Sequence, residues 1–439
     1  MSSNSLPLNN DIIDRVFTSC PDFETLFALK SACKALHAIF AAHPNSINFA
    51  VARNLTGSFP DALRVLRQKV VDAFKEEESL DDRTFAAAVP EDTSPVTVEE
   101  LPQLRKNDAV VHRLEVLFSR WYKNRISLVS VLSAEETFRF RRAMYRIFVY
   151  STSFTSLGFD PEWAYSSETT NAVIRARRLK MLNLHPTADL REIYSVIQFL
   201  QSMLHWVFKQ EDTNETYDVC LAAGPALILA TYETRDPNTM SDACPLVDYP
   251  YDGGVRYSGF FHDPLSEIWM SREVSDPPDN SAHLRSILDM VLDGLDSCKR
   301  CNESTDGLLW TSATWQHYDT DLPELLPGRL SLNRQETNAL QKFLQADAEV
   351  LPDLGILISG IYRDIVLLPG FEDWTEDDGL CGDCLQKLLQ SHTYLWLLEN
   401  KMKAGWVAPE NCWYGYDCTT QFTKAEHAAT KNHLCKPIQ

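Results

Sequence analysis

Residues 6–43 read LPLNNDIIDRVFTSCPDFETLFALKSACKALHAIFAAH, and their spacing sets the fold class of the chain. Asn9 and Asn10 can cap a helix that carries Ile12, Ile13, Val16 and Phe17 on one face. Pro21 breaks that helix, and Asp22 can cap a second one with Phe23, Leu26, Phe27 and Leu29 inward. A third short helix runs through Leu36, Ile39 and Phe40 and stops at Pro44. None of the three is long enough to hold alone in water, so they must pack on each other or on a partner.

The helical period continues outward from this stretch. Residues 61–75 read as a further amphipathic helix. The acidic, Pro-containing run from Glu76 to Lys106, with Pro90, Pro95 and Pro102, reads as an exposed linker. Beyond it Leu114, Leu117, Phe118 and Trp121 share a face. So do Phe140, Met144, Ile147 and Phe148, and then Ile193, Ile197, Leu200, Leu204 and Phe208. A helix also fits Ile287 to Leu295, while 232–283 and 302–333 look like long loops. Leu354 to Leu368 is apolar without a decisive period. Leu385, Leu388, Leu389, His392, Leu395, Trp396 and Met402 define a strong final helix. With no solenoid repeat and no sustained strand alternation, the expectation is a mainly α chain. It would comprise a three-helix motif (1–50), a helix and linker (51–106), a helical body with long loops (107–405) and a small C-terminal module (406–439).

Composition narrows the function classes. The chain has 439 residues, about three domains' worth at the usual size. Hydrophobic residues make up 44% and charged residues 23%, enough apolar material for a large core. With 61 acidic against 41 basic residues the net charge is −20, which disfavours bare nucleic acid and anionic lipid as partners. The N-terminus lacks a signal-peptide pattern, and the longest apolar run, Val219 to Tyr232, falls short of the about 20 residues of a membrane span. The expected setting is cytoplasmic or nuclear, where 11 cysteines are thiols or metal ligands rather than disulfides.

The 6–43 segment resembles an F-box, the motif that docks on the Skp adaptor of cullin ubiquitin ligases, and in particular the N-terminus of fungal F-box-like proteins. Asp11-Ile12-Ile13, Val16-Phe17, Pro21-Asp22, Leu26, Leu29 and Cys33-Lys34 carry the likeness. Leu6-Pro7 stands two residues upstream of the motif's Leu-Pro position, and Leu36 takes the place of its final Trp. The resemblance implies adaptor contacts through Leu8, Ile12, Ile13, Val16, Pro21 and Leu26, and a non-catalytic receptor that brings a target protein to the ligase.

Seven of the 11 cysteines lie between Cys298 and Cys435. At the C-terminus, Cys412, Cys418, His427 and His433 offer two thiolates and two imidazoles within about 22 residues, a set that closes a zinc tetrahedron locally. Gly415 permits the turn between the two cysteines, and Cys435 competes as a fourth ligand. The pattern resembles the poly(ADP-ribose)-binding zinc finger. That resemblance implies Trp413 and Tyr414 as stacking faces for ADP-ribose, although Thr419 stands where the family often has Arg, and the Cys418–His427 gap is about two residues long for the type. Alternatively, the segment is a structural knuckle capping the preceding helix.

Cys298-Lys-Arg-Cys301 and Cys381-Gly-Asp-Cys384 form a second group. They build one four-thiolate zinc site, stay unliganded, or work as a redox pair with Cys384 at a helix start; His392 is a further candidate ligand. The chain has no dinucleotide fingerprint, no phosphate loop and no serine-hydrolase elbow. His205 and Trp206 read as core, and the acidic run at 372–378 as a solvated turn.

Overall fold

The computed structural model describes residues 9–67, 96–123, 130–157, 168–208, 214–248, 257–275, 281–289, 297–303, 309–312, 314–318, 320–345 and 353–438. Among them the chain forms seventeen α-helices and no strand, so it is mainly α-helical. Backbone contacts divide it into two compact units. Unit 1 takes in residues up to Phe118, Leu132–Glu233 and Asn238–Asp289; unit 2 takes in Ser119–Val131, Thr234–Pro237 and Met290–Gln439.

Unit 1 opens with α1 (Asn10–Thr18), α2 (Phe23–Ser31) and α3 (Lys34–Ala42). Asn9 and Asp22 cap as their side chains predict: Asn9 accepts from the Asp11 amide at 3.3 Å and Asp22 from the Thr25 amide at 2.7 Å. A fourth helix, α4 (Pro44–Thr56), completes the module. Pro44 ends α3 and also begins α4, where its missing N–H has no partner to lose. Ile13, Phe17, Phe23 and Leu26 are buried together with Ile47 and Val51 of α4. Asn54 of α4 donates to the carbonyls of Thr18 and Cys20, closing the module over the end of α1.

This packing corrects part of the sequence reading. The single apolar face of α1 is two faces: Ile13 and Phe17 point inward, whereas Ile12 and Val16 are 48% and 46% exposed. Each pair is four residues apart, and one residue of helix turns the second pair about 100° from the first. Pro21 is exposed, and Ile13 and Leu26 are core, so those two are not available to a partner. Leu8 lies outside the described residues.

The remainder of unit 1 is built from α5 (Phe59–Arg67), α6 (Leu101–Tyr122, which runs on into unit 2), α7 (Ala134–Ser153), α8 (Glu168–Asn183), α9 (Thr187–Phe208), α10 (Asn214–Ala223), α11 (Pro225–Thr234), α12 (Asn238–Ala243) and α13 (His262–Ser271). The expected linker is shorter than 76–106, because α6 already begins at Leu101; residues 76–95 lie outside the described set. Phe118, Phe140 and Phe199 meet in the core with ring centroids 4.9 and 5.4 Å apart. α7 carries three arginines into an acid-rich interior: Arg141 pairs with Asp108 and Glu115, Arg142 with Glu192, and Arg146 with Asp61 and Asp189. Buried carboxylates of this kind are tolerated only when paired. The expected loop 232–283 holds α12 and α13, and a 3-10 turn forms at Ser281–Ser286; of the expected 287–295 helix, Ile287–Asp289 are non-helical and 290–295 lie outside the described residues. His205 is exposed rather than core, within 3.2 Å of the Tyr217 hydroxyl.

Unit 2 packs α14 (Arg334–Leu344), α15 (Leu354–Asp364), α16 (Gly382–Lys403) and a short α17 (Ala425–Thr430). The ambiguous 354–368 run is therefore helical through Asp364. Gly360 lets α15 approach α16: a Cβ there would lie 2.1 Å from the Trp396 indole nitrogen. The 302–333 stretch contributes 3-10 turns at Trp315–His317, Leu322–Leu325 and Gly328–Leu332, which bury Leu325, Leu326 and Leu330 in the same core. Leu434 and Tyr416 join that core too, and the 406–439 segment falls within unit 2.

Leu26→Ala is expected to lower the stability of unit 1 by about 2–5 kcal/mol, while Ile12→Ala stays within about 0.5 kcal/mol. Urea unfolding followed by circular dichroism checks this; equal losses would contradict the assignment of inward and outward faces.

Candidate metal centres

The two cysteine turns separated by 79 residues come together. The Sγ atoms of Cys298, Cys301, Cys381 and Cys384 all lie within 4.8 Å of one another. In the first turn, Cys298 N–H donates to the Glu303 carbonyl and Asn302 N–H returns to the Cys298 carbonyl, with Asn302 in the left-handed region at φ 60°. The second turn starts α16, where Cys381 is the N-cap and accepts from the Cys384 amide at 3.4 Å. Backbone pairing joins the turns: Lys299 N–H donates to Gly379 O, and Trp310 and Leu380 exchange both hydrogen bonds of an antiparallel bridge.

The electrostatics of this group call for a cation. Burial opposes ionisation of Cys298, but amides from Cys301, Cys381 and Arg300 outweigh it and bring its thiol down to about 6. Burial pushes the Cys384 thiol up, and the neighbouring thiol groups of Cys298 and Cys381 push it further. The Cys301 and Cys381 sulfurs are 3.7 Å apart. A tetrahedral ion with thiolates at about 2.3 Å holds its sulfurs about 3.8 Å apart. The set therefore fits a metal ion, which would neutralise charge that the sulfurs cannot share among themselves.

Arg300 sits inside the first turn and was not anticipated. It pairs with Asp378 and with Asp373, the latter at 2.7 Å, and lies 5.2 Å over the Trp374 ring. The acidic run at 372–378 is thus a clamp on the cysteine turn, and Asp378 is buried in it. The available signal was a basic pair within Cys-x-x-Cys set against an acidic run of opposite sign. His392 is not a ligand. Its Nδ1 lies 2.9 Å from the Leu388 carbonyl, and its Nε2 accepts from the Leu368 amide at 2.9 Å.

The second centre brings together Cys412, Cys418, His427 and His433, again with all ligand atoms within 4.8 Å. His427 Nε2 lies 3.6 Å from Cys412 Sγ and 3.4 Å from Cys418 Sγ, separations a tetrahedral ion would impose. His433 is 1% exposed, and neither of its ring nitrogens has a hydrogen-bond partner among the described residues. Burial, then the nearby His427, drives its pKa down to about 4, which keeps an imidazole lone pair free for a metal. A buried imidazole with two unsatisfied nitrogens is what a ligand looks like before its ion is counted.

Local backbone closes this centre. Cys412 N–H donates to Asn432 O and Asn432 N–H to Glu410 O, which ties the two ends of the segment. Gly415 turns at φ 46°, and a Cβ there would lie 2.2 Å from the Cys435 carbonyl oxygen. The clustered ligand atoms answer the choice left open at the fourth ligand. Cys435 stands behind the turn, its Sγ 3.4 Å from Asn432 O, and His433 completes the set. Buried Gln421 anchors the segment, accepting from Asn333 and donating to Tyr416 O. Trp413 and Tyr414 are 61% and 64% exposed beside the centre.

Comparison with known protein families, curated proteins and solved structures returns no match. Among the described residues, no helix is long and apolar enough to cross a membrane.

The protein purified without chelators is expected to carry two metal ions per chain by elemental analysis. Cys298→Ser and Cys418→Ser should each remove one, whereas Cys435→Ser should remove none. Two ions retained in Cys418→Ser, or one lost in Cys435→Ser, would reverse the ligand assignment.

Proposed function

We propose that this chain is an F-box-type substrate receptor, non-catalytic itself, which links a target protein to a Skp/cullin ubiquitin ligase. The observation that carries the reading is the outward apolar pair Ile12 and Val16 on α1, with Pro21 also exposed, on a helical module whose own core is already filled. Exposed apolar residues on a satisfied module are the kind of surface an adaptor groove covers. The ions are zinc, because all-thiolate and mixed thiolate–imidazole tetrahedra suit that metal. Their part is structural: four protein ligands leave no open position for chemistry at either centre. Eleven cysteines with no disulfide among them, six serving as metal ligands, fit a cytoplasmic or nuclear working place.

A second reading has its own observation. The exposed Trp413 and Tyr414 offer ring faces for an adenine, which favours an ADP-ribose reader whose N-terminal helices are only structural.

Tagged full-length protein is expected to copurify with the Skp adaptor, and an Ile12→Asp, Val16→Asp double variant to lose it while keeping its circular dichroism spectrum. Absence of adaptor in the wild-type eluate overturns the receptor reading. The second reading expects ADP-ribose polymer to be retained by the wild type and released by Trp413→Ala, Tyr414→Ala with both ions still bound; polymer that never binds removes it.

A further inference from the structure

A groove of about 1220 Å³ lies along α16 in unit 2. It is lined by residues of the Cys381–Cys384 turn and by Tyr416 and Lys436 of the C-terminal segment. Its floor is one stripe of α16: Asp383, Gln386, Gln390 and Tyr394. That stripe covers about 16 Å of helix, the length of about five residues of extended chain. The opposite wall is the pair of 3-10 turns Leu322–Leu325 and Gly328–Leu332. Wall and floor are braced, because Gln386 and Gln390 both donate to the Glu324 carbonyl, at 3.1 and 3.0 Å. The other side of α16 buries Leu385, Leu388 and Leu389 in the core, so the floor is rigid.

The lining has a charge and a fixed hydroxyl donor. Asp321, Glu324 and Asp383 are exposed there, and none has an ion-pair partner among the described residues. Two of them act on the Tyr318 hydroxyl, which burial and then Asp383 and Glu324 push up to about 12. Lys436 is the one base on the lining among the described residues. Tyr394 is 2% exposed, lines the groove, and its hydroxyl has no hydrogen-bond partner among the described residues. Its ring is buried and its hydroxyl meets only the groove, so it offers a fixed donor to an acceptor arriving there.

We propose that this groove binds an extended peptide segment carrying lysine or arginine side chains. The basic side chains pair with Asp321, Glu324 and Asp383, and Tyr394 donates to a backbone carbonyl of the peptide. An open channel of helix length, rather than a closed pocket, suits a strand of chain better than a small molecule. The proposal concerns unit 2 alone and does not depend on adaptor docking.

Fluorescence anisotropy with the metal-loaded full chain, and no adaptor present, tests it. The probes are two fluorescein-labelled octapeptide pools, with Lys/Arg or Glu at alternate positions between Gly and Ser, and the competitor is spermine. The Lys/Arg pool is expected to bind, and to weaken as salt rises from about 50 to about 500 mM. Neutralising the three carboxylates (Asp321→Asn, Glu324→Gln, Asp383→Asn) should weaken it by about tenfold or more. Tyr394→Phe should weaken it by about threefold to tenfold, with metal content and circular dichroism unchanged in both variants. No binding of the Lys/Arg pool, equal binding of the Glu pool, or undiminished binding in both variants overturns the proposal. Spermine bound in place of any peptide also overturns it, by reassigning the groove to small polyamines.

Discussion

Four sulfurs within 4.8 Å of one another cannot all ionise without a cation between them, and unit 2 is arranged around that constraint. The Cys298–Cys301 turn holds the chain near the start of α16, and the Cys381–Cys384 turn is the start of α16. Amide donors prepare the sulfurs for negative charge, and Arg300 is held beside them by Asp373 and Asp378. With the ion in place, residues far apart in sequence become one fixed corner from which α16 runs. Structural metal binding is folding free energy of this kind.

The second centre, in the same unit, works on a shorter sequence scale. Its ligands are close in sequence, so the loop-closure cost is small and the segment can form its own backbone pairing. It is nevertheless joined to unit 2 through Leu434, Tyr416 and the Gln421–Asn333 hydrogen bond. Both candidate centres touch the helix that floors the groove, one through the Cys381 N-cap and the other through the Tyr394–Tyr416 ring contact.

Unit 1 solves a different problem, a surplus of acids. Arg141, Arg142 and Arg146 on α7 collect carboxylates from neighbouring helices and neutralise them inside. The N-terminal module fills its core with Ile13, Phe17, Phe23 and Leu26. Ile12 and Val16 remain as surface.

Much of this was legible in the residues alone. Periodicity and capping side chains marked the helices around Asn9, Asp22 and the 187–208 and 382–403 runs, because those signals act within a few residues of each other. The C-terminal ligand set was legible for the same reason: Cys412, Cys418, His427 and His433 lie within a stretch that can close locally. By itself, then, the sequence determined a mainly helical chain and one compact ligand cluster, since both depend on short-range spacing. Only the tertiary structure decided that Cys298 and Cys301 meet Cys381 and Cys384 across 79 residues, because nothing local encodes that approach. It also decided that His433 rather than Cys435 stands with Cys412, Cys418 and His427, and that Ile13 and Leu26 are core while Ile12 and Val16 are surface. Each of those choices depends on which atoms a distant segment brings against the residue, and helical spacing carries no record of it.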